Sequence, residues 1–191
     1  MAFAYDALNK CKLDKIFFLV EPRPRRKQGV KSHLHRSEMV GLAIENEPKF
    51  SSIILRQQRF TAEKTLPVLM ELFKGAKIHM LMGDDVLAHL AEWPHVEVLL
   101  KNVQFDVGLR TQQKEETKRR LEILQRTRGF AVEYKLFNVS KPKISSSTIR
   151  KDVKSGKKPT GLSTKVYEYM KANKLYAEAE DSDNDPSNIT L

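Results

Sequence analysis

Three consecutive serines, Ser145-Ser146-Ser147, run into Thr148-Ile149-Arg150 and stand behind a short basic stretch that holds Lys141 and Lys143. The segment reads as the opening of a helix that ends at Gly156. The first amides of any helix lack intrahelical partners and lie at the positive end of its dipole, so an anion is favoured there. With Ser145 as the N-cap, Ser146 and Ser147 can offer hydroxyl and amide donors to phosphate oxygens. Arg150 lies about one turn further on, and its planar fork can grip a phosphate through two parallel hydrogen bonds. The same residues also describe an ordinary serine-capped helix with a solvated arginine, and local pattern does not choose between the two.

Three other segments have chemistry in them. Met82-Gly83-Asp84-Asp85 falls where a strand should end and a helix begin. Ligands of open α/β sheets bind at the carboxyl ends of strands, and a glycine there lets a ligand approach the backbone closely. A neighbouring carboxylate can accept hydrogen bonds from ribose hydroxyls, or serve merely as a helix cap. Chelation of a metal by the pair would need further carboxylates, which the sequence does not place. Trp93, the only tryptophan, could stack on a heteroaromatic ring or plug the core. Finally, Pro22-Arg23-Pro24-Arg25-Arg26-Lys27 crowds four cations into five positions of a loop stiffened by proline. It suits a phosphate clamp, and it also suits a solvated loop.

These residues need a scaffold, and the pattern supplies one. Short apolar runs alternate with amphipathic stretches, as in β/α units around a parallel sheet. Strands are expected at Lys15 to Val20, Ser51 to Leu55, Lys77 to Met82, either Val96 to Leu100 or Gln104 to Leu109, and Val132 to Phe137. Met39, Val40, Ala43 and Ile44 share one helical face; Leu66, Leu69, Leu72 and Phe73 share another. A helix through Leu121 and Leu124 should stop before Gly129, a C-cap glycine. Pro67 belongs in the first turn of its helix, where a missing N–H costs little. Ser163 should cap a last helix buried through Val166, Tyr167 and Met170.

The chain of 191 residues suits one α/β domain over residues 1–176, followed by a tail, 177–191, that is expected to be disordered. Five carboxylates and no Lys or Arg in that tail mask a body of +15 beneath the overall charge of +10. Such a surface attracts nucleotides, nucleic acid or anionic membrane without distinguishing them. No apolar run reaches the roughly 18 to 20 residues of a spanning helix. No leader pattern opens the chain, and Cys11, the lone cysteine, cannot form an internal disulfide; a cytoplasmic protein is expected, with Cys11 as a small core residue.

In their order the segments resemble the nicotinate mononucleotide adenylyltransferase family. Pro22 to Lys27 resembles that family's basic, proline-rich loop, and His35-Arg36-x-x-Met39-x-x-Leu42-Ala43-Ile44 its following helix. Thr61 to Leu66 looks like its Y-T-x-x-T-L segment, Gly83-Asp84-Asp85 with Trp93 like its G-x-D and tryptophan, and Ile144 to Arg150 like its I-S-[ST]-T-x-I-R signature. The resemblance implies a Rossmann-like, doubly wound parallel sheet of the nucleotidyltransferase type. It also implies the reaction of ATP with nicotinate mononucleotide to give deamido-NAD and pyrophosphate, with Mg2+ accompanying ATP. It assigns Ser145, Ser146, Ser147 and Arg150 to the ATP phosphates, and Gly83 and Asp85 to the adenosine ribose. Trp93 then meets the pyridine ring, Thr61 or Thr65 its carboxylate, and Lys27 the mononucleotide.

The departures from the family pattern are specific. The family opens on a strand and G-G-x-F-x-P-x-H-x-G-H, whose histidines meet the reacting phosphates; none of His33, His35, His79, His89 and His95 stands in H-x-G-H. No catalytic residue is therefore assigned, and the resemblance implies a start about 20 residues late, without the first strand. Arg59-Phe60 stands where the family commonly has Ser-Tyr, one extra residue separates Thr61 from Leu66, and Ser147 replaces a threonine. Phosphopantetheine and cytidylyl transferases share a related serine signature, but the tryptophan and the basic loop favour the pyridine mononucleotide. A nucleic-acid-binding protein would fit the charge and the run Lys114, Lys118, Arg119 and Arg120, yet lacks interleaved aromatics for stacking. A non-catalytic remnant that binds nucleotide is the third alternative.

Overall fold

The computed structural model describes residues 1–24, 29–54, 57–111 and 113–176. Its elements run α1 Ala2–Lys10, β1 Ile16–Val20, α2 His33–Ile44, β2 Phe50–Ile54, α3 Thr65–Leu72, β3 His79–Gly83, α4 Asp84–Leu87, α5 Val96–Asn102, β4 Gln104–Leu109, α6 Lys114–Arg128, β5 Tyr134–Asn138, α7 Ser146–Lys154 and α8 Thr164–Ala172. The expected strands are present within about two residues of their expected ends. Of the two alternatives for the fourth, Gln104–Leu109 is the strand and Val96–Asn102 a helix. The backbone packs into two compact units: Met1–Ile16 with Phe60–Lys143, and Phe17–Arg59 with Ile144–Leu191.

In the first unit β3, β4 and β5 form a parallel sheet in that order, with Met82 opposite Val107 and Gly108 opposite Phe137. Alternation along β4 sends Phe105 and Val107 to one face, where both are fully buried with Leu99 and Leu100 of α5 and Leu121 and Leu124 of α6. Gln104, Asp106 and Gly108 take the other face, which α1 covers. A sheet covered on both faces explains why these strands read as near-continuous apolar runs. Gly129 ends α6 in the left-handed conformation (φ 68°), its amide donating to Gln125 O, as a C-cap glycine should.

The docking of α1 needs one notch. An added Cβ at Gly108 would stand 2.3 Å from Phe3 Cε2 and 2.9 Å from Val139 Cγ2, while the Phe3 ring lies 5.4 Å from that of Phe137. Gly108→Ala should therefore push α1 off the sheet and cost about 1–3 kcal/mol, the range for overpacking a filled core. Urea unfolding of the variant measures this; a midpoint equal to the parent's would show that the aromatic pair relaxes without cost.

The same face holds a buried polar cluster. Asp106, fully buried, accepts from His79 Nδ1 at 2.7 Å and from Gln104 Nε2 at 2.9 Å. Cys11 is buried, and desolvation first, then the charge of Asp106 and a hydrogen bond to it, push its thiol up to about 12. That suppresses the thiolate, in keeping with a core residue and not a nucleophile.

In the second unit β1 and β2 are hydrogen-bonded neighbours, and Phe18 meets Phe50 edge-on at 5.6 Å. Val166 and Met170 of α8, with Leu175, are buried against Met39, Leu42 and Ala43 of α2 and Val153 of α7. Tyr167, expected with them, is half-buried. Ser163 caps α8 by accepting from Val166 N at 3.3 Å. The acidic tail, 177–191, lies outside the described residues.

Candidate nucleotide-binding residues

Ser145 is the N-cap of α7: its backbone is extended (φ −136°, ψ 157°), and its Oγ accepts from Thr148 N at 3.1 Å and meets Thr148 Oγ1 at 2.8 Å. That bond engages the Ser145 hydroxyl and leaves Ser146 and Ser147, both exposed, at the start of the helix. Arg150 stands on the same turn, its Nη2 donating to Ser147 Oγ at 3.4 Å and its guanidinium 5.9 Å from the Tyr176 ring. The helix is fixed through Val153, which packs on the α8 core, and Ile144 packs over Gly161. Gly161 has φ +80°, and a Cβ there would stand 2.5 Å from Ile144 Cδ1. The chain thus presents donors, one cation and the positive helix end together, which is what a polyphosphate requires.

Gly83 and the two aspartates occupy the carboxyl end of β3, in the first unit, and the structure separates their work. Asp84 is buried and accepts from Asp85 N and Arg110 N, both at 3.1 Å, and from Thr111 N and the Thr111 hydroxyl. It ties the end of β3 to the segment after β4, a structural role. Asp85 has a half-exposed side chain and lies 3.6 Å from Arg110 Nη1. A Cβ built on Gly83 would stand only 2.1 Å from Asp85 Oδ1. Glycine is therefore what allows the Asp85 carboxylate to fold back over the strand end.

A cavity of about 320 Å3 opens beside these groups. Its walls include Met80, Met82, Val86 and Trp93, and its charged members are Asp85 and Arg110. Trp93 is half-buried and packs on the core as well, so it is both core plug and cavity wall. An apolar, aromatic wall beside one carboxylate and one guanidinium suits a planar heterocycle carrying polar substituents.

Thr61 and Thr65 bond to each other's turn: Thr65 Oγ1 accepts from Thr61 N at 3.0 Å, and Thr61 Oγ1 accepts from Lys64 N at 3.2 Å. Thr65 is 1% exposed and Thr61 half-buried, and neither lines the cavity that holds Trp93. Lys27 lies outside the described residues, as do Arg25 and Arg26. Thus Gly83, Asp85 and Trp93 are gathered around one cavity of the first unit, and Ser145, Ser146, Ser147 and Arg150 around one helix start of the second.

Arg110 was given no role by sequence. It directly follows β4 at its carboxyl end, so the rule that singles out Gly83 would have found it, had the fourth strand not been left between two segments.

The cytidylyltransferase-like family model matches residues 1–152. The nicotinate-nucleotide adenylyltransferase of Bacillus subtilis (strain 168) is 29% identical over 188 residues, covering 92% of this chain and 89% of the relative. The probable nicotinate-nucleotide adenylyltransferase of Clostridium botulinum (strain Okra / Type B1) is 29% identical over 185 residues, with 91% and 89% covered. Among solved structures, the Plasmodium falciparum nicotinic acid mononucleotide adenylyltransferase complexed with NaAD superposes with a TM-score of 0.69 at 19% identity, over 92% of this chain and 87% of that one. The α/β fold with its parallel sheet is that of these neighbours. With four-fifths of its length matched by one family model, the chain belongs to the cytidylyltransferase-like family.

Proposed function

We propose that this protein is an adenylyltransferase of NAD biosynthesis, transferring AMP from MgATP to nicotinate mononucleotide and releasing pyrophosphate and deamido-NAD. The observation that carries the reading is the end-to-end similarity to the Bacillus subtilis nicotinate-nucleotide adenylyltransferase, with about nine-tenths of each chain covered. A phosphate oxygen of the mononucleotide attacks the α-phosphorus of ATP in line; a new P–O–P bond forms as the bond to pyrophosphate breaks, with no covalent enzyme intermediate. Positioning and charge stabilisation, more than a protein nucleophile, serve such a step.

On this reading the exposed Ser146 and Ser147 and the guanidinium of Arg150 receive the ATP phosphates, with Ser145 holding the helix start in shape. Asp85 accepts from the ribose hydroxyls of ATP, and Gly83 gives them room. Trp93 stacks on the pyridine ring of the mononucleotide, Thr61 lies nearer solvent than Thr65 for its carboxylate, and Lys27 is assigned to its phosphate. Magnesium arrives with ATP as part of the substrate. Among the described residues no group of three or more His, Cys, Asp or Glu side chains could hold the ion, and the phosphates supply its oxygens. No helix of the described residues is long and apolar enough to cross a membrane; a cytoplasmic location is part of the proposal, and nucleic acid is not among the expected partners.

A calorimetric panel distinguishes the ligand classes. MgATP and nicotinate mononucleotide are expected to bind, and phosphopantetheine and CTP not to. Binding of phosphopantetheine in place of the mononucleotide would reject the pyridine assignment. Tight RNA binding that weakens steeply with salt, without nucleotide binding, would point to a nucleic-acid protein instead.

A further inference from the structure

The outward side of α6 carries a stripe of alternating charge. Its buried side is formed by Thr117, Leu121 and Leu124. With about 100° per residue, Glu115, Arg119, Glu122 and Arg126 fall opposite that side, each within about 30° of one line along the helix. All four are exposed, and with Lys118 and Ile123 they wall a shallow depression of about 550 Å3. Their steps of four, three and four residues are those of the a and d positions of a heptad. Ile123, an exposed apolar side chain, stands beside the stripe near the middle of the helix.

The same charges could pair along the helix, since Glu115 and Arg119, and Glu122 and Arg126, stand four apart in the favourable order. The structure does not use them so. Glu115 pairs with Lys118 at 3.2 Å, and Arg119, Glu122 and Arg126 have no ion-pair partner among the described residues. A polyanion laid along the stripe would meet a carboxylate at every second position, so this face is not built for nucleic acid. A second copy of α6 is a different matter. Laid parallel and in register, it sets Glu on Glu and Arg on Arg. Laid antiparallel about a two-fold axis between Arg119 and Glu122, it sets a on d: Glu115 meets Arg126 of the second copy, Arg119 meets Glu122, and each pair occurs twice. Ile123, next to Glu122, then lies against the aliphatic stem of the second copy's Arg119.

We propose that the protein self-associates through α6, two copies pairing antiparallel into a two-fold dimer whose register these four charge pairs set. The helix has 15 residues and is about 22 Å long, and exposed ion pairs contribute little each, so the contact stands at the small end of specific interfaces. A dissociation constant on the order of 100 µM follows, weakening about tenfold between roughly 50 and 500 mM salt. No residue of the stripe is assigned to a substrate.

Sedimentation equilibrium of the full chain, from about 10 µM to about 1 mM, tests this. The parent is expected to pass from monomer to dimer over that range. Arg119→Glu faces carboxylate with carboxylate and Glu122→Arg faces guanidinium with guanidinium, so each alone should self-associate at least about tenfold more weakly. Mixed in equal amounts, the two variants should form a heterodimer, because one carries only acids and the other only bases at the two central positions. Both changes in one chain should restore the parent's self-association. The side chains are exposed, so these variants should melt near the parent; should one fail to fold, Glu115→Arg and Arg126→Glu make the same exchange at the ends of the stripe. A parent that stays monomeric at about 1 mM, a dimer that survives either single change, or single variants that do not pair when mixed would overturn the proposal.

Discussion

Gly83→Ala is expected to weaken MgATP binding by about tenfold to a hundredfold while leaving the unfolding free energy within about 1 kcal/mol of the parent. The backbone of Gly83 (φ −80°, ψ 157°) suits any residue, so the substitution brings no conformational strain. What it brings is a methyl group 2.1 Å from Asp85 Oδ1 and 3.0 Å from Arg110 Cδ. Asp85 Oδ1 is the end of a flexible side chain, so the carboxylate swings away at little cost to the fold. It then no longer stands where the ribose hydroxyls are proposed to donate, and a charge-assisted hydrogen bond of about 1.5–3 kcal/mol is lost. Asp85→Ala should lose the same affinity, and the double variant should lose no more than Asp85→Ala does, since both changes remove one carboxylate from one place. Calorimetry with MgATP and a parallel urea titration measure the two quantities. Unchanged affinity in Gly83→Ala would separate Asp85 from ATP; a large loss of stability would mean that the strand end is far stiffer than its exposed carboxylate implies.

The largest effect on stability is expected at the opposite end of the same sheet. Asp106→Ala should cost about 3–5 kcal/mol, a large part of the roughly 5–15 kcal/mol of a typical domain. The carboxylate is fully buried and is the shared acceptor of His79 Nδ1 and Gln104 Nε2. Removing it leaves those donors without an acceptor behind α1 and opens a void against the sheet. Because the cluster sits at the start of β3 and β4, away from Gly83 and Leu109 at their carboxyl ends, the ligand affinities of folded Asp106→Ala should stay at parental values. Urea unfolding at one fixed pH gives the stability loss. A cost below about 1 kcal/mol would show that water replaces the carboxylate.

These two sites differ in how far sequence discloses them. The serine start of α7 was legible because capping depends on residue type and spacing along one stretch: Ser145 bonds Thr148, three residues on. The β/α alternation was legible for the same reason, apart from Val96 to Leu100. There a run of five apolar-rich residues fits either period, and burial of Val96, Leu99 and Leu100 at i, i+3 and i+4 shows it to be a helix. Gly83 and Asp85 could be named from their place at a strand end, but not the division of labour between the two aspartates. Asp84 is structural because Arg110 and Thr111, some 26 residues away, turn their donors on it. The cluster at Asp106 could not be read at all. Its partners are side chains brought together by strand register. His79, left without a role among five histidines, finds its meaning only through its partner on the neighbouring strand.

The similarity to known adenylyltransferases and the paired features of the chain meet in one chemical statement, that the AMP moiety of ATP ends up joined to the pyridine mononucleotide. The most direct measurement is to incubate the full-length protein with ATP labelled at the α-phosphate, magnesium and nicotinate mononucleotide, and to separate the products. The account predicts that the label moves into deamido-NAD, with one pyrophosphate released per dinucleotide formed. Label that stays in ATP, or that moves only to a different acceptor such as phosphopantetheine, would contradict it.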